Sequence, residues 1–289
     1  MNNNRFYPHL TMALVICGIP AKTAHADIIF SDNFNYANGQ LAGNNGGTGW
    51  SGVWSGGTGS NGNLVSDPLS GTVGKSIKIS SGNLTTTRSL ISSLSTETTQ
   101  SMYISFLFNA NPYQGFNAGK YAGITLSSSS SSLFLGMPGS SAALGFDWAN
   151  YSDGLYNSAS NGTTYLTLFE ITKGSVANSA IVKMYATNNL LMSGADLINS
   201  GSLASFDNTT DSNRSAITID SVSFSGAYDT GTINLAGLAM ATTANEAVAF
   251  THAAVPEPGT LLLGSLAATL GGCGIRRNRR KKLSPLPAV

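Results

Sequence analysis

From Asp27 to Val255 the chain shows no capped apolar stripe of helical period; clusters of Gly, Ser and Asn cut it into short β-forming runs. The runs are Lys75–Ser80, Met102–Phe108, Tyr121–Leu126, Leu133–Met137, Tyr165–Ile171, Ile181–Ala186, Ile217–Phe224 and Ile233–Met240. Each has strand length and is bounded by residues that favour turns. In Lys75–Ser80 the period is two, which predicts Ile77 and Ile79 on one face. Many short strands at this spacing predict an all-β domain, a β-sandwich or jelly roll. The segment is long enough to enclose one full core.

The two ends are of another kind. Residues 1–26 carry Arg5, an apolar run Leu10–Ile19 and Ala24-His25-Ala26 before Asp27. That order predicts a secretory signal peptide cut after Ala26, with Ala24 and Ala26 as the small residues of the cleavage site. At the other end Pro256-Glu257-Pro258 precedes the uncharged run Leu261–Ile275, closed by Arg276, Arg277, Arg279, Arg280, Lys281 and Lys282. Proline on both sides of Glu257 blocks a helix there. The apolar run has fifteen residues, including four glycines, and a stable span needs about 20. It reads as a short transmembrane helix with a basic cytoplasmic anchor.

This order of motif, apolar run and basic cluster over residues 256–282 resembles the PEP-CTERM sorting signal of bacterial envelope proteins. The resemblance implies an exosortase as processing partner, together with the secretion machinery. It also implies an inner-membrane precursor, held there transiently, then release to the cell envelope, outer surface or extracellular matrix. The domain plan is then a signal peptide at 1–26, a β-sandwich ectodomain at 27–250, a linker at 251–255, the sorting signal at 256–282 and a tail end at 283–289.

A second resemblance covers most of 27–250. The opening Asp32-Asn33-Phe34-Asn35-Tyr36 and the later Gly46-Gly47-Thr48-Gly49-Trp50-Ser51-Gly52-Val53-Trp54 are similar to the openings of PEP-CTERM proteins with a concanavalin A-like lectin/glucanase domain. The fold it implies is a concanavalin A-like sandwich.

Charge and residue type narrow the chemistry. Seven basic residues stand against thirteen acidic ones in 27–255, so the exported part is near −6 although the whole chain is +1. Nucleic acid is a poor partner for such a surface. Both cysteines and two of the three histidines lie in the end segments, and His252 is placed in the linker. No Ser-His-Asp or Cys-His site is expected, nor a His/Cys zinc site. Glycoside hydrolysis needs two carboxylates at set separations across the sugar. Glu97, Glu170 and Glu246 are isolated, and no Glu-x-Asp-x-Glu pattern occurs. The expectation is a non-catalytic protein of the envelope or matrix associated with exopolysaccharide, with a glycan-binding adhesin as the alternative.

The candidate glycan-binding residues are Asp147, Trp148, Tyr151 and Asp153, an aromatic cluster among carboxylates and amides suited to stacking and hydroxyl recognition. Trp50 and Trp54 sit in a glycine-rich segment, and core packing is the alternative reading for all these rings. The oxygens of Asp147, Asn150 and Asp153 before Gly154 also leave calcium open as a cofactor beside a plain Asx turn. Six consecutive serines, Ser127–Ser132, read as a solvated hairpin loop or a modification site.

Overall fold

The structure, a computed structural model, describes residues 27–57, 63–69, 74–79, 81–82, 85–99, 101–111, 121–138, 143–148, 151–156, 160–207, 215–228 and 231–252; of 151–156 only the backbone is described. The signal segment, Pro256–Pro258, the apolar run and the basic cluster lie outside them. Among the described residues no helix is long and apolar enough to cross a membrane.

Two antiparallel sheets pack face to face. The first runs β14 (Ala204–Asp207), β13 (Ala180–Thr187), β12 (Thr164–Lys173), β7 (Ser101–Asn111), β16 (Thr232–Ala241), β5 (Ser76–Ile79), β4 (Leu64–Ser66) and β2 (Gly39–Gln40). β1 (Ile28–Asp32) pairs with the far end of β16, beyond β5. The second sheet runs β11 (Tyr151–Tyr156), β10 (Leu144–Trp148), β9 (Ser132–Met137), β8 (Tyr121–Ser127), β15 (Thr218–Ala227), β6 (Thr86–Ser95) and β3 (Trp50–Gly56). Ile77 and Ile79 are both fully buried between the sheets, as their period-two spacing requires.

The eight runs read from the sequence all fall on strands; among the described residues eight further strands do not have that signature. β6 alternates a buried set that includes Arg88 with outward serines, and β3 is rich in glycine, so neither looks apolar.

Two helices correct the expectation of a purely β domain. α1 (Gly194–Asn199) is capped by Ser193, whose side chain accepts from the Asp196 amide at 3.1 Å. α2 (Ala244–His252) opens on Thr243, whose hydroxyl donates to Glu246 at 3.4 Å. Both lie on the outer face of the first sheet, where Leu107, Leu166, Leu168, Tyr185, Leu197 and Val248 form a second core. Their contacts use Gly194, Ala244 and Ala247, too small to leave a visible stripe. The linker boundary at 251 is corrected with them. Thr251 is fully buried, its hydroxyl bonded to Ser105 and to the Gly237 carbonyl, each at 2.9 Å. His252 therefore belongs to the domain; burial lowers its pKa, and its Nε2 has no hydrogen-bond partner.

One polar cluster ties the sheets together. Asp32 on β1 and Arg88 on β6 are buried, with Nη1 3.2 Å from Oδ2. The same oxygen accepts from the Tyr36 hydroxyl at 2.6 Å and from Trp54 Nε1 at 3.0 Å. Oδ1 accepts from the Phe34 amide at 2.8 Å, in a turn that holds Phe34 at φ 54°. Arg88 also donates to the carbonyls of Gly52 and Gly46 and to Asn45 Oδ1. Its guanidinium carbon lies 5.2 Å and 5.8 Å from the rings of Trp50 and Trp54. The glycines before Trp50 have a steric reason: a Cβ at Gly47 would sit 1.9 Å from the Ser31 carbonyl oxygen, and one at Gly49 2.1 Å from that of Ile29.

Deleting one partner of a buried, hydrogen-bonded ion pair leaves the other charge stranded. Arg88→Ala is expected to destabilise the domain by about 3–5 kcal/mol, read by denaturant unfolding; a loss below about 1 kcal/mol would show that the cluster does not hold the sheets.

Candidate functional site

The sheets differ in what covers them. The first is covered inside by its partner and, over the middle of its outer face at Leu107, Leu166, Leu168 and Tyr185, by α1 and α2. The second turns alternate residues to the core, such as Val222, Phe224, Ile124, Leu126, Leu133 and Leu135. Its other face carries mostly small polar residues, one aromatic pair, and toward β6 and β3 the exposed Ile91 and Val53.

That pair is Phe134 on β9 and Tyr121 on β8, edge to face with ring centroids 5.8 Å apart. Phe134 reaches over Gly123, where an added Cβ would lie 2.8 Å from Cζ of the ring and 2.2 Å from the Leu135 carbonyl oxygen. Glycine at 123 is what lets the ring lie against the sheet. Asp147 is the cross-strand partner of Phe134 on one side and Thr125 on the other. The serine run turns between β8 and β9, with the Ser128 amide donating to the Ser131 carbonyl at 2.9 Å. The Ser131 hydroxyl donates to the Thr218 carbonyl at 2.7 Å and fixes this loop against β15.

These elements enclose a concavity of about 360 Å³ whose lining includes Ser130, Ser132, Phe134, Asp147 and Ser215. A second, of about 400 Å³, shares Ser130 and Ser215 and adds Glu97, Asn178 and Thr218. Together they make a shallow hydroxyl-lined groove. Burial raises the Asp147 pKa above the ordinary carboxylate value. Glu97 is held below it by the Lys173 ammonium 2.7 Å away, and the Asn178 amide donates to it at 2.8 Å. Glu170, on the first sheet, accepts from Tyr185 at 2.8 Å and from Tyr103 at 3.3 Å, with Lys183 at 3.4 Å. The groove thus offers hydroxyl donors and acceptors, two half-buried carboxylates, Asp147 and the lysine-paired Glu97, and one aromatic face. That set suits recognition of a polyhydroxyl ligand.

Of the residues chosen from the sequence, Asp147 and Trp148 both line this groove. Trp148 is only 1% exposed and stands edge-on to Phe206 at 5.6 Å, so it offers a ligand no ring face. Trp50 and Trp54 are buried in the Asp32–Arg88 cluster. Tyr151 pairs with Trp148, and Asp153 with Phe146. Position 153 is one register step from the residue opposite Asp147, which puts the two positions on opposite faces of the sheet. Asn150 and the Asp153 side chain, proposed with Asp147 for calcium, lie outside what is described; among the described residues no group of three His, Cys, Asp or Glu is placed to hold a metal. Phe134, Tyr121 and the serines at the groove were not selected from the sequence. Their signal is the glycine at 123 opposite the residues around Phe134, legible only once the strands are in register.

No family of known proteins matches the chain, and no curated protein matches its sequence. Among solved structures it is similar to domain 4 of AbnA, an extracellular GH43 arabinanase of Geobacillus stearothermophilus solved with arabinotriose. Identity is 15% over 79% of this chain and 98% of that one, with a TM-score of 0.43. The alginate lyase Aly36B aligns at 15% identity over 73% of this chain and 95% of its own, TM-score 0.41. The binding domain of botulinum neurotoxin serotype D aligns at 9% over 75% of this chain, TM-score 0.41. This chain spans about half, 51%, of that neurotoxin domain's length. At these scores none of them assigns a ligand or a reaction here.

Asp147 generates a pH-dependent prediction. With its folded value raised above the unfolded one of about 3.9, the native state binds the extra proton. Its contribution is then greatest below the unfolded value and falls as pH rises through the folded one. Asp147→Asn should raise the melting temperature at pH 7 and leave it unchanged at pH 3, by calorimetry. An equal shift at both would exclude burial as the cause.

Proposed function

We propose that this chain is an exported, non-catalytic protein of the cell envelope or extracellular matrix that associates with exopolysaccharide. In this reading its likeness to concanavalin A-like domains is one of architecture, and its ends are its address. The signal segment exports it. The Pro256-Glu257-Pro258 motif, the apolar run and the six basic residues hold a precursor at the inner membrane until an exosortase removes them.

The observation that carries the polysaccharide half is the groove beside Phe134. A partly exposed ring next to hydroxyls and a carboxylate can stack on one sugar face while bonding its rim. Support for the non-catalytic reading comes from two carboxylates: Glu97 and Glu170 are engaged by lysine and, for Glu170, by tyrosine, and neither stands as a free partner to Asp147.

Fractionation of the producing cells tests both halves. The native protein should be recovered, trimmed at its C-terminus, with the exopolysaccharide. Glu257→Ala should stay untrimmed in the membrane fraction. Phe134→Ala should be trimmed yet shift to the medium, its affinity down about tenfold for the loss of a stacking contact. Normal trimming of Glu257→Ala would remove the sorting half; unchanged retention of Phe134→Ala would remove the groove.

A further inference from the structure

Beyond the groove, the outer face of the second sheet carries hydroxyls in rows. Register across β3, β6, β15, β8 and β9 aligns Ser51, Ser89, Ser221, Ser127 and Ser132. The next row aligns Ser55, Thr87, Ser223 and Thr125, and it continues into Phe134 and Asp147. A third sets Ser225 opposite Gly123, Gly136, Gly145 and Gly154. Neighbouring strands lie about 4.8 Å apart, and alternate residues along one strand about 6.8 Å apart, so the rows form a two-dimensional lattice, whose open positions exclude Ser223 and Ser225, both buried. Part of it is already coupled: Ser127 and Ser221 hydroxyls are 3.1 Å apart, and those of Thr87 and Ser223 3.0 Å.

Charge says what such a surface accepts. In all seven strands the one basic residue is Arg88, buried and paired with Asp32. The acidic residues are Asp147, Asp153 and Asp220. Asp220 sits in the bulge of β15 beside the serine row, and its Oδ1 has no hydrogen-bond partner. Among the described residues of these strands a polyanion would meet no exposed cation and two carboxylates at the margins of the rows, the nearest ammonium being Lys173, paired with Glu97 at the groove. A polycation would meet rows that hold no charge. A polymer of hydroxyl groups meets matching partners along the open serine positions, because each serine both donates and accepts, and the exposed Ile91 adds an apolar patch for a sugar face.

We infer that this face is a platform for a neutral polysaccharide laid across the strands, from the serine rows to the groove at Phe134 and Asp147. This rests on the reading that the domain binds polysaccharide, and it adds the class of polymer and the larger surface.

The test uses the full chain purified in detergent, with hydroxyethyl cellulose as neutral probe and polygalacturonate as acidic probe, in affinity electrophoresis. The native chain should be retarded by the neutral polymer and not by the acidic one. Ser127→Ala with Ser221→Ala removes both partners of one hydroxyl pair, a change that is nearly neutral for folding. It should weaken retardation about fivefold or more, as the loss of one net hydrogen bond would. Ser221→Lys should lower neutral binding and introduce retardation by polygalacturonate. Unchanged retardation in both variants would overturn the platform while leaving the groove standing. Preference of the native chain for the acidic polymer would overturn the neutral class. Retardation by neither polymer would overturn this inference and, if the producing cells' own exopolysaccharide also fails to bind, the reading beneath it.

Discussion

The interaction on which the rest depends is the buried pair of Asp32 and Arg88. It is a charged tie between the sheets, since β1 belongs to one and β6 to the other. A buried ion pair is costly unless every remaining lone pair and proton is satisfied. Here both carboxylate oxygens and three guanidinium nitrogens have partners, and two indole rings enclose the cation. Such a cluster tolerates one geometry. It sets the opening segment, the glycine-rich approach to Trp50 and the start of β6 in a single arrangement, around which the apolar core closes. Residues that look suited to ligands, two tryptophans and a carboxylate, are thereby consumed by structure.

A second consequence is asymmetry. Helices cover the outside of one sheet, and their small-residue contacts bring α2 onto the bulge of β16 at Gly237. The other sheet keeps a face mostly of serine, threonine and glycine, with Ile91 and the Phe134–Tyr121 pair among them. A ligand surface therefore has one broad place to form, on the side away from α2. The groove at Phe134 and the hydroxyl rows are parts of that one surface.

Much of the architecture was legible because strands buried on one or both faces leave a periodic apolar trace. Ile77, Ile79 and the run Tyr165–Ile171 are instances. What escaped lacked such a trace: β3 is half glycine and serine, β6 buries an arginine, and α2 packs through alanine. The site was less legible than the fold. Asp147 was found because it stands beside a tryptophan, yet that tryptophan points inward and the useful ring is Phe134 on the neighbouring strand. Cross-strand neighbours are set by register, which one-dimensional spacing does not carry. The serine run was read correctly as a turn, while its role as a wall of the groove depends on strands far away in sequence.

The most direct measurement is an amide chemical-shift map of the protein titrated with oligosaccharides cut from the exopolysaccharide of the producing cells. The account predicts shifts concentrated on β8, β9, β10 and β15, strongest near Phe134 and Asp147 and weaker along the serine rows. Shifts concentrated instead on α1, α2 or the outer strands β13 and β14 would contradict it, because they would put the ligand on the sheet that the helices cover.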